Sequence, residues 1–95
     1  LKRQNDSLKP EHLGLSDITE PLEYGGSLTN FDSNIVNIAA TGAKAFCCDI
    51  QWDLENSKDI TEEWIPRSQA RIDSKGRIWL SDWIIGKKRQ QELEL

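Results

Sequence analysis

Between Ala43 and Trp52 the apolar residues Phe46, Cys48, Ile50 and Trp52 recur at every second position, with Ala45, Cys47 and Asp49 between them. An extended strand puts residues of that spacing on one face, so this run specifies a β-strand with Phe46, Cys48, Ile50 and Trp52 turned to a core. The preceding run, Ile35 to Thr41, is equally rich in β-forming residues. Gly42 between the two fits either two strands in a tight hairpin or one bent strand. Further on, Ile60, Glu62 and Trp64 alternate with Thr61, Glu63 and Ile65 in a third strand. Pro66 ends it, because proline cannot donate to a sheet ladder. Residues 53–59, DLENSKD, have the composition of a surface loop.

A second hairpin is specified down to its register. A three-residue loop Ser74-Lys75-Gly76 with Gly76 left-handed pairs Asp73 with Arg77, Ile72 with Ile78 and Ala70 with Leu80. That register puts Ile72, Ile78, Ala70 and Leu80 on one face and leaves Arg71, Asp73, Arg77 and Trp79 on the other. A four-residue loop would pair Ile72 with Arg77 and mix apolar with charged residues, so the hydrophobic pattern rejects it. Ser81-Asp82 then caps a helical segment that carries Trp83 and Ile84 inward and Lys87, Lys88 and Arg89 outward, weakened midway by Gly86.

The expected fold is mainly β: a small antiparallel, barrel-like or open-sheet domain of about four to five strands, with a short C-terminal helix. The expected core is Val36, Ile38, Phe46, Cys48, Ile50, Trp64, Ile72, Ile78, Leu80 and Trp83. Residues 1–34 mix Pro10, Pro21, Gly14, Gly25 and Gly26 with isolated leucines at no fixed period. They read as a polar N-terminal arm on a domain at residues 35–95, with Tyr24 and Phe31 available to dock the arm.

With 95 residues the chain has room for one domain, and its 37% apolar and 29% charged content fits a small protein with polar tails. No stretch approaches the roughly 20 apolar residues of a membrane span, so no membrane association is expected. No basic segment followed by an apolar one marks a signal peptide, which is either absent or already removed. Cys47 and Cys48 are adjacent and His12 is the one histidine. Three donors in two places cannot make a structural zinc site, and adjacent cysteines on a strand point to opposite faces rather than toward a shared disulfide. Free thiols favour a reducing compartment, hence the cytoplasm. No cofactor motif occurs. Glu62 and Glu63 fall on opposite strand faces and no nucleophile motif is present, so an enzyme is not expected.

The stretch Glu63-Trp64-Ile65-Pro66-Arg67-Ser68-Gln69, followed after a strand-turn-strand by Trp83-Ile84, resembles a pattern in small β-domains of phage and bacterial proteins. In those, a strand leads into W-[IL]-P-[KR]-S-Q, a further hairpin and a closing W-[LI] helix. The resemblance covers roughly residues 43–88. It implies that architecture and an association with phage or mobile elements, and it carries no agreed activity. The long 53–59 loop and the Gly86-Lys87-Lys88-Arg89 ending depart from the pattern.

Charge is unevenly spread, at −3 over residues 1–34, −4 over residues 35–63 and +3 over residues 64–95. Two functional expectations follow. The first is a non-catalytic protein-interaction module, an acidic inhibitor or modifier of a host complex on the resemblance. Its partner is a protein or a second copy of the chain. Its contact is the hairpin face of Arg71, Arg77 and Trp79 with Lys87, Lys88 and Arg89, or an acidic patch of Asp49, Asp53, Glu55, Asp59, Glu62 and Glu63 able to mimic phosphates. The second is a single-stranded nucleic-acid-binding module, in which the same Arg/Trp face and basic cluster supply a cationic, stacking groove.

Overall fold

Gly42 and Gly76 punctuate two of the hairpins, and the strands around them build two sheets rather than a closed barrel. The computed structural model describes residues 8–93. After a 3-10 turn at Pro10–Leu13 come β1 (Ser16–Asp17), β2 (Leu28–Asn30), β3 (Ile35–Thr41), β4 (Ala45–Gln51) and β5 (Ile60–Pro66). A second 3-10 turn, Arg67–Gln69, leads to β6 (Ala70–Ile72), β7 (Ile78–Ser81) and the helix α1 (Asp82–Leu93). One sheet has the order β3-β4-β5 and the other β1-β6-β7-β2. All pairings are antiparallel except that of β1 with β6. The fold is therefore mainly β with a short C-terminal helix, as the sequence specifies, and none of its described helices is long and apolar enough to cross a membrane.

The second hairpin has the register its hydrophobic pattern requires. Ala70 faces Leu80, Arg71 faces Trp79 and Ile72 faces Ile78, and Gly76 sits at φ +79° in the left-handed region that closes the loop. β4 likewise buries Phe46, Cys48 and Ile50 completely. These meet Ile38, Ile65, Ala70, Ile78, Leu80 and Ile84 in a core shared by both sheets and the helix. Trp52 packs against this core, its ring edge-on to Phe31 with centroids 5.7 Å apart.

Four expected core residues, Val36, Trp64, Trp83 and Ile72, lie outside it. Val36 is 48% exposed because β3 shifts register against β4 between Ile35 and Asn37 and again between Ile38 and Ala40. Each bulge breaks the two-residue alternation, so Ile35 and Ile38 pair with core-facing Ile50 and Cys48 while Val36 turns out. Trp64 is 49% exposed because β5 turns Thr61, Glu63 and Ile65 inward, Ile65 opposite Phe46. Trp64 instead stands opposite Cys47 on the outer face, where Cys47 is also buried. Trp83 is 60% exposed, and its neighbour Ile84 makes the inward contact. Ile72 is half-buried.

The segment read as an arm is part of the fold from Leu8 onward. It supplies two strands, and Leu13, Leu22 and Phe31 are buried. β2 pairs with β7 (Thr29 opposite Leu80, Asn30 opposite Trp79), and β1 pairs with β6. The two flanking strands raise the strand count above the expected four to five. Residues 1–7 of the expected arm lie outside the described residues. Phe31 docks as anticipated, whereas Tyr24 is 82% exposed.

Candidate functional site

Arg71 explains how the irregular segment is held. Its buried guanidinium donates from Nε to the Glu20 carbonyl (3.2 Å) and from Nη2 to the Pro21 carbonyl (3.1 Å). From Nη1 it reaches the carbonyls of Ser68 (3.1 Å) and Ala70 (2.8 Å). A planar fork with five N–H donors suits such a cluster of acceptors, and it ties residues 20–21 to the edge of β6. The chain then runs on through Leu22, Tyr24, Gly25 and Gly26. Gly25 and Gly26 are at φ +65° and +135°, where an L side chain would be strained.

This stretch forms one wall of a mostly apolar groove of about 460 Å³. Leu22 and Tyr24 line it together with Trp83, at the start of α1. The floor is polar and internally satisfied. Ser81 Oγ donates to Gln69 Oε1 (2.6 Å) and accepts from the backbone N–H of Ile84 (3.1 Å), so one buried hydroxyl both caps α1 and pairs with a buried amide. Thr29 Oγ1 donates to Asp82 Oδ1 at the rim, and the Lys87 ammonium lies 5.0 Å from the centre of the Trp83 ring. Ser81→Ala removes the cap and strands Gln69, and is expected to cost about 2–3 kcal/mol in denaturant unfolding. A cost below about 0.5 kcal/mol would mean that water replaces both bonds.

The six residues of the expected basic contact are placed unequally. Arg71 is consumed by the four carbonyls. Arg77 donates from Nε to Asp73 Oδ2 (2.7 Å), and the half-buried Trp79 donates from its indole Nε1 to the same oxygen (2.9 Å). Arg89 lies over the Trp52 ring, 5.4 Å from its centre, and 3.5 Å from Asp59 Oδ2. Lys87 is exposed beside Trp83, and Lys88 is half-buried. The expected face is thus spent on internal contacts, Arg77 and Trp79 closing on Asp73 and Arg71 on backbone carbonyls. Of the alternative acidic set, Asp53 and Glu55 are exposed in the loop, Asp59 meets Arg89, and Asp49 and Glu62 lie opposite one another on the outer face of β4 and β5. Glu63 lies on the other face, accepting from Thr61 Oγ1 (2.7 Å), which itself accepts from Trp52 Nε1 (2.7 Å).

Asp73 also makes the hairpin sensitive to acid. Desolvation pulls its carboxyl pKa up. The bonds from the Trp79 indole, the Arg77 backbone and side chain and the Lys75 N–H outweigh that and hold the carboxyl well below the usual value. A carboxylate depressed in the folded state stabilises above its unfolded pKa of about 3.9, and the contribution is lost as pH falls from there through the folded value. Asp73→Asn is therefore expected to destabilise more at pH 7 than at pH 2, where part of the carboxylate's contribution has been lost. Unfolding curves at the two pH values measure this, and an equal difference at both would remove the titration from the explanation.

A second hollow, of about 420 Å³, is bordered by Gly14, Ser16, Pro21, Glu23, Arg67, Ser68 and Arg71. Two arginines suggest an anion site, but their donors point elsewhere. Arg71 is satisfied internally, and Arg67 uses Nη1 on the Ala43 carbonyl (2.8 Å) and Nη2 on Thr41 Oγ1, pinning the end of β5 to the β3–β4 turn. Its Nε is buried without a partner. Burial above all, with smaller electrostatic contributions from Cys47, Asp49 and Glu63, pushes the Cys48 thiol up to about 12 and keeps it protonated. His12 lies on the exposed 3-10 turn, its Nδ1 accepting from the Lys9 N–H (3.4 Å). Among the described residues no group of three or more His, Cys, Asp or Glu side chains is placed to hold a metal ion.

No protein-family profile matches the chain, and neither curated proteins nor solved structures provide a significant match.

The sequence reading missed the groove because its walls come from residues 22–27 and 81–83, which meet only through the β2–β7 pairing and the Arg71 clasp. The aromatic content of both segments was visible, but their proximity was not.

Proposed function

We propose that this protein is a non-catalytic protein-interaction module that grips a segment of a partner in the groove between residues 22–27 and the start of α1. The observation that carries this reading is the pair of rings at its walls, Tyr24 at 82% and Trp83 at 60% exposure. A folded chain gains nothing by holding two aromatic rings in water, whereas burying them on a partner returns about 25 cal/mol per Å² of apolar surface. Tyrosine and tryptophan also lose little conformational freedom on contact, which favours them as anchors. The buried Ser81–Gln69 pair keeps the floor rigid while the walls remain available.

The finer reading, an inhibitor or modifier of a host complex, rests on the likeness of residues 43–88 to small phage and bacterial β-domains and on the acidic strip along β4 and β5. Single-stranded nucleic acid has less support, since Arg71, Arg77 and Arg89 are engaged within the chain. A photoreactive phenylalanine analogue at position 24 should give a discrete protein adduct in cells, abolished by Trp83→Ala. The same analogue at position 54, in the exposed loop, should not. Equal adducts from both positions would reject the groove as the contact.

A further inference from the structure

The hydrogen-bonding inventory of the aromatic groove specifies what kind of segment it can hold. Its floor is already spent. Ser81 Oγ and Gln69 Oε1 bond each other, Ser81 Oγ also takes the N–H of Ile84, and the Ser27 carbonyl takes the N–H of Asp82 (3.0 Å). The remaining lining is not. Among the described residues, neither the Trp83 indole N–H nor the Tyr24 hydroxyl has a hydrogen-bond partner, and the Asp82 carboxylate meets Thr29 through Oδ1 alone. No row of backbone groups accompanies these side chains, since residues 22–25 are closed into a turn by the Gly25 N–H on the Leu22 carbonyl (3.1 Å). The groove thus offers uncharged donors from two aromatic side chains, one anionic acceptor and apolar ring faces.

Two common occupants fit that inventory badly. A β-strand brings N–H groups as well as carbonyls and needs a ladder to receive them, which the turn at residues 22–25 does not supply. A helix bonds its own backbone, so it would cover the donors of Trp83 and Tyr24 without giving them acceptors. A proline-rich segment in the polyproline II conformation has carbonyls free of internal bonds and lacks an N–H at every proline. It therefore brings acceptors to these donors and strands few donors of its own. Its pyrrolidine rings are apolar bodies for the Tyr24 and Trp83 rings to cover, and its backbone is extended before contact, so little freedom is lost. Lys87 lies over the Trp83 ring, 5.0 Å from its centre, yet most of that side chain still meets solvent. The carboxylates of Asp82 and of exposed Glu23, next to Tyr24 in the chain, outnumber that ammonium and favour a basic residue beside the prolines.

We propose that the groove docks a proline-rich polyproline II segment of a partner protein, with a basic residue set against Asp82. The proposal rests on the groove being the contact, and adds the conformation and charge of what it holds.

The test uses the isotopically labelled full chain and three capped heptapeptides. One is Pro-Pro-Ala-Pro-Pro-Arg-Pro, one has alanine at every proline position, and one has glutamine in place of the arginine. The first should shift amides of residues 22–27 and 81–84, and the alanine peptide should bind at least about tenfold more weakly. Glutamine should cost about threefold on the parent chain and nothing on Asp82→Asn, whose side-chain oxygen still accepts from Thr29. Tyr24→Phe keeps the ring and removes the hydroxyl, so it should weaken the proline peptide about threefold, while Leu54→Ala should leave it unchanged. Binding of the alanine peptide within about twofold of its parent, with shifts still at residues 22–27 and 81–84, would overturn the proline segment and keep the groove. A discrete photoadduct from position 24 in cells, with no peptide bound at about 2 mM, would separate the two in the same way. Shifts centred elsewhere, with no adduct from position 24, would remove the groove and the proposal together.

Discussion

Arg71→Ala is expected to be among the most damaging single changes in the chain, costing about 3–5 kcal/mol in denaturant unfolding. The guanidinium is buried and its N–H groups serve the carbonyls of Glu20, Pro21, Ser68 and Ala70. Hydrogen bonds from a charged donor contribute about 1.5–3 kcal/mol each, and acceptors left without one in a covered site keep their desolvation cost. Water entering the space left by the side chain recovers part of this, which is why the four bonds do not simply add. Lysine should not rescue the loss, since an ammonium is a point charge and cannot span acceptors on two separate segments. Because the same contact fixes residues 20–21, amide exchange should quicken through residues 18–26 before the β3-β4-β5 sheet responds. A cost under about 1 kcal/mol, or uniform loosening of both sheets, would show that the segment is held by Leu13, Leu22 and Phe31 instead.

What the sequence made legible follows from which contacts are local. The β6–β7 register could be read because a short loop with a left-handed glycine and four apolar residues leave one self-consistent pairing. The Ser81 cap could be read because capping is decided within one helical turn. β4 could be read because one face has Phe46, Cys48 and Ile50 against Cys47 and Asp49 on the other. β5 offered no such contrast. Each of its faces carries a large apolar residue, Trp64 or Ile65, and the choice is settled by the register that puts Ile65 opposite Phe46 and Thr61 within reach of the Trp52 indole.

Other features were beyond a periodicity argument. β1 and β2 have two and three residues, too few to show a period, and they exist because β6 and β7 offer them edges. Arg71 sits in an alternating pattern as an outward residue, and only the chain 50 residues upstream supplies the carbonyls that turn it into an internal clasp. The same limitation hid the groove. Tyr24 and Trp83 were each recognisable as aromatics in need of a place, one assigned to docking the arm and the other to the core, and neither role allowed for two exposed rings facing a common hollow.

The assignment of faces in the β3-β4-β5 sheet can be tested by a contrast between two aromatic truncations. Phe46 is fully buried between the sheets, so Phe46→Ala removes its transfer free energy and leaves a cavity, for about 3–5 kcal/mol. Trp64 is the larger ring but keeps 49% of its surface in water, so it has roughly 100 Å² of burial to lose and no enclosed cavity to leave. Trp64→Ala should therefore cost less than about 2 kcal/mol, with the Cys47 thiol it stands beside becoming open to alkylation in the folded state. Unfolding midpoints and thiol labelling of the two variants measure the contrast. Equal costs would place Trp64 in the core and turn β5 over, moving Ile65 and Glu63 to the outer face. The order of these two costs thus decides which face of β5 belongs to the core.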